Sequence, residues 1–220
     1  MTSELVFRAV FSTLWILFFA GPGWARYSAR RRMGERPADQ IIPRQRLVPI
    51  LAIASFAPFW FAGIVFYAIL PGWISFLSIP LPDWFRWMMA LAGALSIPFM
   101  YWGFRTLGKN WVHAMEPSKF QQKKNEILVT TGPYSYVRNP IYLGAFSLIL
   151  AQALVAANWL VFLPALPIIA IIYMQVPGEE AMLAERFGGD YREYKNRTPR
   201  IIPRLRRKHQ AQQEQQPSPS

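Results

Sequence analysis

The sequence predicts an all-α, polytopic membrane protein with about five transmembrane helices. Hydrophobic residues make up 53% of the 220 residues and charged residues only 16%. A soluble domain normally carries about a quarter charged residues. The charges are also segregated, because long apolar runs alternate with segments rich in Lys and Arg. This alternation is typical of helices that cross a bilayer and of loops that stay on its cytoplasmic side.

Composition excludes several kinds of site. The chain has no cysteine, which rules out disulfides, zinc–thiolate centres and cysteine nucleophiles. Its two histidines, His113 and His209, are far apart in sequence, so we expect no metal site. The net charge of +12 is explained by basic cytoplasmic loops, and we expect no nucleic-acid partner.

The N-terminal region, 1–104, is predicted to hold three spans. The first runs from Leu5 to about Trp24, interrupted by Arg8, which can snorkel to the interface. Gly21-Pro22-Gly23-Trp24 is typical of a helix stop with an interfacial anchor. The run lacks a small-residue cleavage site, so we interpret it as a retained span rather than a signal peptide.

The second and third spans are predicted at about 47–70 and 84–104. The loop 25–46 between the first two spans is basic, which holds it in the cytoplasm. The loop 71–83 contains no Lys or Arg, which fits the opposite side of the membrane. The pattern therefore predicts an N-terminus outside and a C-terminus in the cytoplasm.

The C-terminal region, 105–204, begins with a polar and basic segment and continues into a predicted tight helical hairpin, 140–177. Two apolar runs of marginal spanning length form it, split by Ala157-Asn158. From Gly178 onward the chain is charged and amphipathic, and the tail 205–220, rich in Gln, Ser and Pro, is predicted to be disordered.

Ionisable residues stand at both ends of this hairpin. Arg138 comes just before Pro140, which can occupy the first turn of a helix, and Glu179 and Glu180 follow the second apolar run. Acidic and basic residues at a membrane boundary often mark ligand sites, although a solvated helix end explains them equally well. An Arg beside a helix start can bind an anion, and two carboxylates can bind an ammonium group or ribose hydroxyls. The pattern suits a zwitterionic ligand at the cytoplasmic face.

Four motifs together resemble the isoprenylcysteine carboxyl methyltransferase family and its bacterial relatives, which include phospholipid N-methyltransferases. They cover about half of the chain, and the segment Leu107-Gly108-Lys109-Asn110-Trp111 adds to them. The motifs are Gly-Pro-Tyr-x-Tyr-Val-Arg-x-Pro-x-Tyr-Leu-Gly at 132–144, Glu-Glu at 179–180, Phe-Gly-x-x-Tyr-x-x-Tyr at 187–194 and Arg-x-Pro-Arg-x-x-Pro at 197–203.

The resemblance implies an integral membrane enzyme that uses S-adenosyl-L-methionine to methylate a lipid-like or prenylated acceptor, on a carboxylate or on an amine. It implies catalytic roles for Arg138 and Glu180. It also implies a set of cofactor-binding residues, with interfacial anchoring as the alternative for the tyrosines: Tyr136, Arg138, Asn139, Pro140, Tyr142, Leu143, Glu179, Glu180, Tyr191, Tyr194 and Arg197.

Two positions depart from the family pattern. The family usually has His where this chain has Asn139, and often has Arg where it has Gln175. Asn can donate and accept hydrogen bonds but cannot act as a base. Methyl transfer from a sulfonium needs alignment more than acid–base chemistry. An anionic acceptor is mildly favoured, since an amine acceptor must lose a proton.

Two other functions stay open from the sequence. Membrane sterol and steroid reductases share a similar C-terminal layout, with a nicotinamide cofactor in place of the methyl donor. A non-catalytic membrane scaffold that retained the fold is the second, and the departures at Asn139 and Gln175 favour it. The acceptor, the oligomeric state and the membrane, bacterial inner membrane or endoplasmic reticulum, are not predicted.

Overall fold

The computed structural model describes residues 2–33, 44–108 and 127–203. These residues form six α-helices and two short 3-10 helices, with an isolated bridge between Ser78 and Asn158 as their one β-type pairing. The all-α class is therefore confirmed. In chain order the helices are α1 (Thr2–Met33), α2 (Arg44–Ile69), α3 (Asp83–Leu107), α4 (Pro140–Ala156), α5 (Trp159–Tyr173) and α6 (Val176–Arg197). The 3-10 helices are Pro71–Leu77 and Gly132–Ser135.

By length and composition, two of the described helical stretches can cross a membrane: Asp83–Leu107 and the stretch Trp159–Arg197. A third is added if Ser55–Ile69 and Pro71–Leu77, bent by 114°, form one broken span. Pro140–Ala156 is apolar but shorter. Apolar helices of this kind fit a membrane protein, whereas the count of five spans and their orientation stay predictions.

The predicted helix stop at Gly21-Pro22-Gly23-Trp24 is wrong. Helix α1 continues through it to Met33 and takes in part of the segment predicted as a loop. Gly and Pro lower helix propensity without forbidding a helix. The rest of that loop up to residue 43, the 109–126 part of the segment before the hairpin, and the tail from residue 204 lie outside the described residues.

The hairpin breaks where the sequence predicted it. Ala157 adopts a left-handed conformation with φ of 47°, which ends α4. The Asn158 side chain then caps α5 by accepting a hydrogen bond of 2.9 Å from the Leu160 amide. Its amide nitrogen donates to the Ile74 carbonyl at 2.8 Å. The turn is thereby fixed to the 3-10 helix that follows α2.

The core lies between α1, α2, α4 and α5, with α3 packed closely on α4. Gly144 permits this approach, because a Cβ at that position would overlap the Met100 side chain and lie 3.3 Å from the Ser96 carbonyl oxygen. The buried residues of the core are aromatic and aliphatic: Phe7, Phe11, Trp15, Ile64, Tyr67, Ile74, Ala90, Ile149, Ala153, Val155, Ala156, Val161, Ala165 and Ile168.

A buried polar cluster joins four helix ends at the end of the bundle opposite Arg138. Arg86, 7% exposed, donates to Glu4 at 2.7 Å, to the Tyr67 hydroxyl at 3.0 Å and to the Val155 carbonyl at 2.9 Å. Arg8, which was predicted to snorkel, instead donates to the Ala68 carbonyl of α2. Hydrogen bonds from Arg86 and Arg8 therefore link the ends of α1, α2, α3 and α4.

Candidate functional site

The start of α4 positions the first half of the site. The 3-10 helix Gly132–Ser135 and the fully buried Val137 fix the chain against the bundle. Pro140 then occupies the first turn of α4, where a missing backbone N–H is harmless. As a result, Arg138 and Asn139 lie at one end of the helix bundle, on the residues just before the apolar hairpin.

Arg138 and Glu180 form the centre of the site. The Arg138 Nε donates to Glu180 Oε1 at 3.0 Å and its Nη2 donates to Oε2 at 3.2 Å, which is a bidentate pair. The two side chains are 8% and 6% exposed. The side-chain amide of Asn139 also donates a hydrogen bond to Glu180 Oε1, at 3.1 Å. The predicted meeting of the two hairpin ends is confirmed.

The chain after α6 folds back over this pair. The Arg138 amide donates to the Pro199 carbonyl at 2.8 Å and the Asn139 amide donates to the Arg200 carbonyl at 3.0 Å. The Arg138 Nη1 adds bonds to the carbonyls of Lys195 and Thr198. We call residues 198–200 the closing segment. It holds the two site residues through main-chain as well as side-chain bonds.

Arg200 is a site residue that the predicted set omitted. Its Nε donates to Glu180 Oε2 at 3.1 Å, and its Nη2 lies 3.0 Å from the same oxygen. Tyr173 lies close to its guanidinium. The signal was present, since Arg200 belongs to the Arg-x-Pro-Arg motif at 197–200, but nothing in the spacing indicated that it would reach back 20 residues to Glu180.

Tyr142 and Glu179 form a second pair, next to the first. The Tyr142 hydroxyl donates to Glu179 Oε1 at 2.8 Å, and both residues are half-buried. The Tyr142 ring packs at 6.0 Å from Phe146, which lies 6.5 Å from the Tyr173 ring. The two carboxylates follow one another in the chain: Glu180 contacts two guanidiniums, and Glu179 accepts a hydrogen bond from the Tyr142 hydroxyl.

The tyrosines of α6 are buried beside the site, and their predicted role in cofactor binding stays a prediction. Tyr191 and Tyr194 are 1% and 3% exposed, and the Tyr194 hydroxyl donates to the Tyr134 carbonyl at 2.7 Å. Burial, with a smaller effect from the charge of Glu180, raises the pKa of Tyr191 to about 12. Gly188, at φ of 52°, kinks α6 so that both tyrosines face inward.

The remaining predicted site residues are not gathered at this centre. Tyr136 is 62% exposed and packs at 6.5 Å from Trp102. The Arg197 side chain is 60% exposed and pairs with Glu193 at 3.5 Å. Leu143 is half-buried on α4, while Pro140 is buried at its start. Their role in binding a ligand stays a prediction.

Electrostatics keep Glu180 ionised. Burial alone would raise its pKa, but the hydrogen bonds from Arg200 and Arg138 outweigh that effect and hold the pKa below its ordinary value. An ionised carboxylate enclosed by cations cannot serve as a general acid. The arrangement can orient cationic side chains and hold a ligand at its edge. Among the described residues, no group of three or more His, Cys, Asp or Glu could hold a metal ion.

Comparisons with known proteins agree with the motifs. Residues 84–190 match the family model described as phospholipid methyltransferase. A curated relative, the Protein-S-isoprenylcysteine O-methyltransferase of Schizosaccharomyces pombe, is 33% identical over 84 residues, which are 38% of this chain and 36% of the relative. The match thus spans about a third of that relative's length. The resemblance that the motifs predicted is confirmed.

Proposed function

We propose that this protein is an integral membrane, S-adenosyl-L-methionine-dependent methyltransferase, because residues 84–190 match the phospholipid methyltransferase family model. Its acceptor is a lipid-like or prenylated molecule, and its site faces the cytoplasm. One observation carries the proposal: the separate motifs of the family meet at one end of the bundle, where Arg138 and Tyr142 contact Glu180 and Glu179. A scatter of these residues over the surface would have argued against a shared site.

The residues present fit the cofactor. S-adenosyl-L-methionine carries an ammonium group and ribose hydroxyls. A half-buried carboxylate is a good acceptor for hydrogen bonds from both. Glu179 offers such a carboxylate, oriented by Tyr142. We propose that Glu179, Tyr142 and the start of α4 at Asn139 and Pro140 hold the cofactor. Arg138 and Glu180 fix the geometry of both walls. When bound, the cofactor supplies an electrophilic methyl group.

The chemistry asks little of acid–base groups. A lone pair on the acceptor would take up the methyl group that bound S-adenosyl-L-methionine supplies. An anionic oxygen does this without losing a proton, whereas an ammonium acceptor must first release one. The described part of the site contains no histidine, and the Glu180 carboxylate is already bonded to Arg138, Asn139 and Arg200. The site therefore favours alignment of an anionic acceptor.

The surface beside the site is apolar. A small depression of about 10 Å³ lies between α1 and α3, lined by Leu17 and Phe18 on one side and by four residues of α3 on the other. One of these, Met100, packs against Gly144 of α4. An apolar surface of this kind suits the hydrocarbon part of an amphiphilic acceptor whose head lies at the start of α4.

Calorimetric binding of S-adenosylhomocysteine to the purified full chain tests the proposal. We expect micromolar affinity for the wild type and roughly tenfold weaker binding for Glu179→Gln, since a hydrogen bond to a charged group contributes about 1.5–3 kcal/mol. Glu193→Gln is the matched control, because this carboxylate is 77% exposed on the same helix. Its affinity should equal that of the wild type.

Two outcomes would overturn the assignment, and a third would revise only the site. Binding of a reduced nicotinamide dinucleotide instead of S-adenosylhomocysteine would indicate a reductase. Binding of neither would indicate a scaffold. Equal affinities for wild type and Glu179→Gln would leave the methyl donor in place but remove Glu179 from its site.

A further inference from the structure

Arg200 is held in a fixed position at the rim of the site. Its carbonyl accepts hydrogen bonds from the Asn139 amide at 3.0 Å and from the Asn139 side chain at 3.2 Å. Its guanidinium donates to Glu180 Oε2, and Tyr173 lies close to it. A guanidinium has five N–H donors, so these contacts leave it able to bind a further group. Arg200 is therefore held in place and still has N–H donors for a further acceptor.

Two guanidiniums, Arg138 and Arg200, share the carboxylate of Glu180. These three groups carry a net charge of +1 (two positive minus one negative), and the Glu179 carboxylate belongs to the preceding residue of the chain. The Arg138 side chain is 8% exposed, whereas that of Arg200 is 36% exposed. The excess positive charge thus reaches solvent at Arg200.

Exposed apolar side chains lie next to Arg200 in the chain, or next to Tyr173, which lies close to Arg200. Tyr173, which contacts Arg200, is 42% exposed, and Met174 after it is 72% exposed. Ile202, two residues beyond Arg200, is 80% exposed. A cation beside apolar surface suits a molecule that has an anionic group next to a hydrocarbon chain.

We propose that Arg200 binds the anionic group, a carboxylate or a phosphate, of the amphiphilic acceptor. The inference rests on the proposed methyltransferase function. It assigns to the closing segment, which lies beyond the matched region 84–190, a role in choosing the acceptor. It also offers a reason why this chain has Gln175 where the family often has Arg. Arg200, bonded to Glu180, supplies a cation at this end of α6 instead.

Binding of paired amphiphiles to the full chain in detergent tests this role, because each pair differs only in its anionic part. N-acetyl-S-farnesylcysteine is compared with its methyl ester, and dioleoylphosphatidic acid with dioleoylglycerol. We expect the wild type to prefer the anionic member of at least one pair by about tenfold or more, as a charge-assisted contact implies. The pair that shows the preference identifies carboxylate or phosphate as the group recognised.

Variants then assign the preference to one residue. Arg200→Gln should abolish it while leaving S-adenosylhomocysteine affinity within about twofold, because the cofactor contacts lie at Glu179. Arg200→Lys keeps the charge but loses the planar guanidinium that can bind an anion through two N–H groups. It should retain part of the preference for the anionic amphiphile. The matched control Arg192→Gln removes one exposed charge from α6 and should change neither quantity.

The inference fails if the wild type shows no preference in either pair, or if Arg200→Gln keeps the preference. It fails as well if Arg200→Gln and Arg200→Lys both lose cofactor and acceptor affinity in parallel, which would make Arg200 only a structural partner of Glu180. A wild type that prefers the anionic amphiphile but binds no S-adenosylhomocysteine would overturn the proposed function and keep Arg200 as an anion-binding residue.

Discussion

Arg138 and Glu180, 42 residues apart in sequence, form a bidentate ion pair with both side chains less than a tenth exposed. The pair closes the polar end of the helical hairpin, since one partner precedes α4 and the other follows α5. Each charge has lost most of its hydration, so each depends on the other for compensation. The stability of the hairpin is thus coupled to the ionisation of one carboxylate.

Glu180→Gln should lower the free energy of unfolding at neutral pH by about 3 kcal/mol, because it leaves a buried arginine without its counter-charge. The pH dependence should change as well. The pKa of Glu180 is lower in the folded protein than its ordinary value of 4.5. The ion pair therefore stabilises fully above that pH and loses its contribution as the pH falls through the folded pKa. Denaturant or thermal unfolding between pH 7 and pH 3 measures both effects.

The control for that experiment is Glu193→Gln, which removes an equal charge from an exposed pair on the same helix. It should change the free energy of unfolding by less than about 0.5 kcal/mol. The loss of stability between pH 7 and pH 3 should be the same as in the wild type. If Glu180→Gln kept the acid sensitivity of the wild type, the ion pair would not be its source.

Gly144→Ala should destabilise the protein by about 1–3 kcal/mol, because the added methyl group would overlap Met100 and force α3 and α4 apart. Thermal unfolding of the variant measures the loss. Adding Met100→Ala should restore part of it, since the two sites are in contact and their effects are not additive. Gly189→Ala provides the control: no heavy atom lies within 4 Å of the Cβ it would add, and it should be neutral.

Arg86→Met should cost about 3 kcal/mol of stability, because it leaves the Glu4 carboxylate, the Tyr67 hydroxyl and the Val155 carbonyl without their shared donor. Combining it with Glu4→Gln should recover part of the loss, as removal of both charges is less costly than removal of one. Asp83→Asn tests a nearby exposed carboxylate, 4.0 Å from Arg86, and should have little effect. A neutral Arg86→Met would show that the cluster contributes nothing to the bundle.

The meeting of Arg138 and Tyr142 with Glu179 and Glu180 could be predicted, because a hairpin brings together the residues that flank it. The partners of those residues could not. Arg200 reaches Glu180 only because main-chain bonds to Arg138 and Asn139 turn the closing segment back over α4. Hydrophobic periodicity carries no information on such a turn, and Pro199 indicates a break without its direction.

The fold shows the same division. Residue types gave the all-α class and the hairpin break at Ala157-Asn158, since both follow from local composition. Propensity misplaced the end of α1, where Gly21 and Pro22 lie within a continuous helix. The Arg86 cluster was missed because Glu4 and Arg86 each stand at the edge of an apolar run, where a charge ordinarily faces water. Their pairing depends on how four helix ends pack, which no single run of sequence reveals.

Helix α4 is fastened at both ends, by Asn139 and Arg138 at its start and by the Arg86 bond to the Val155 carbonyl near its finish. Its 17 residues span about 25 Å at a rise of about 1.5 Å per residue, less than the roughly 30 Å of a bilayer interior. If α4 crosses a bilayer, as the sequence predicts, lipid beside it has to thin to meet it. The thinned region would bring headgroups toward Tyr142 and Glu179, where we propose that the cofactor is held.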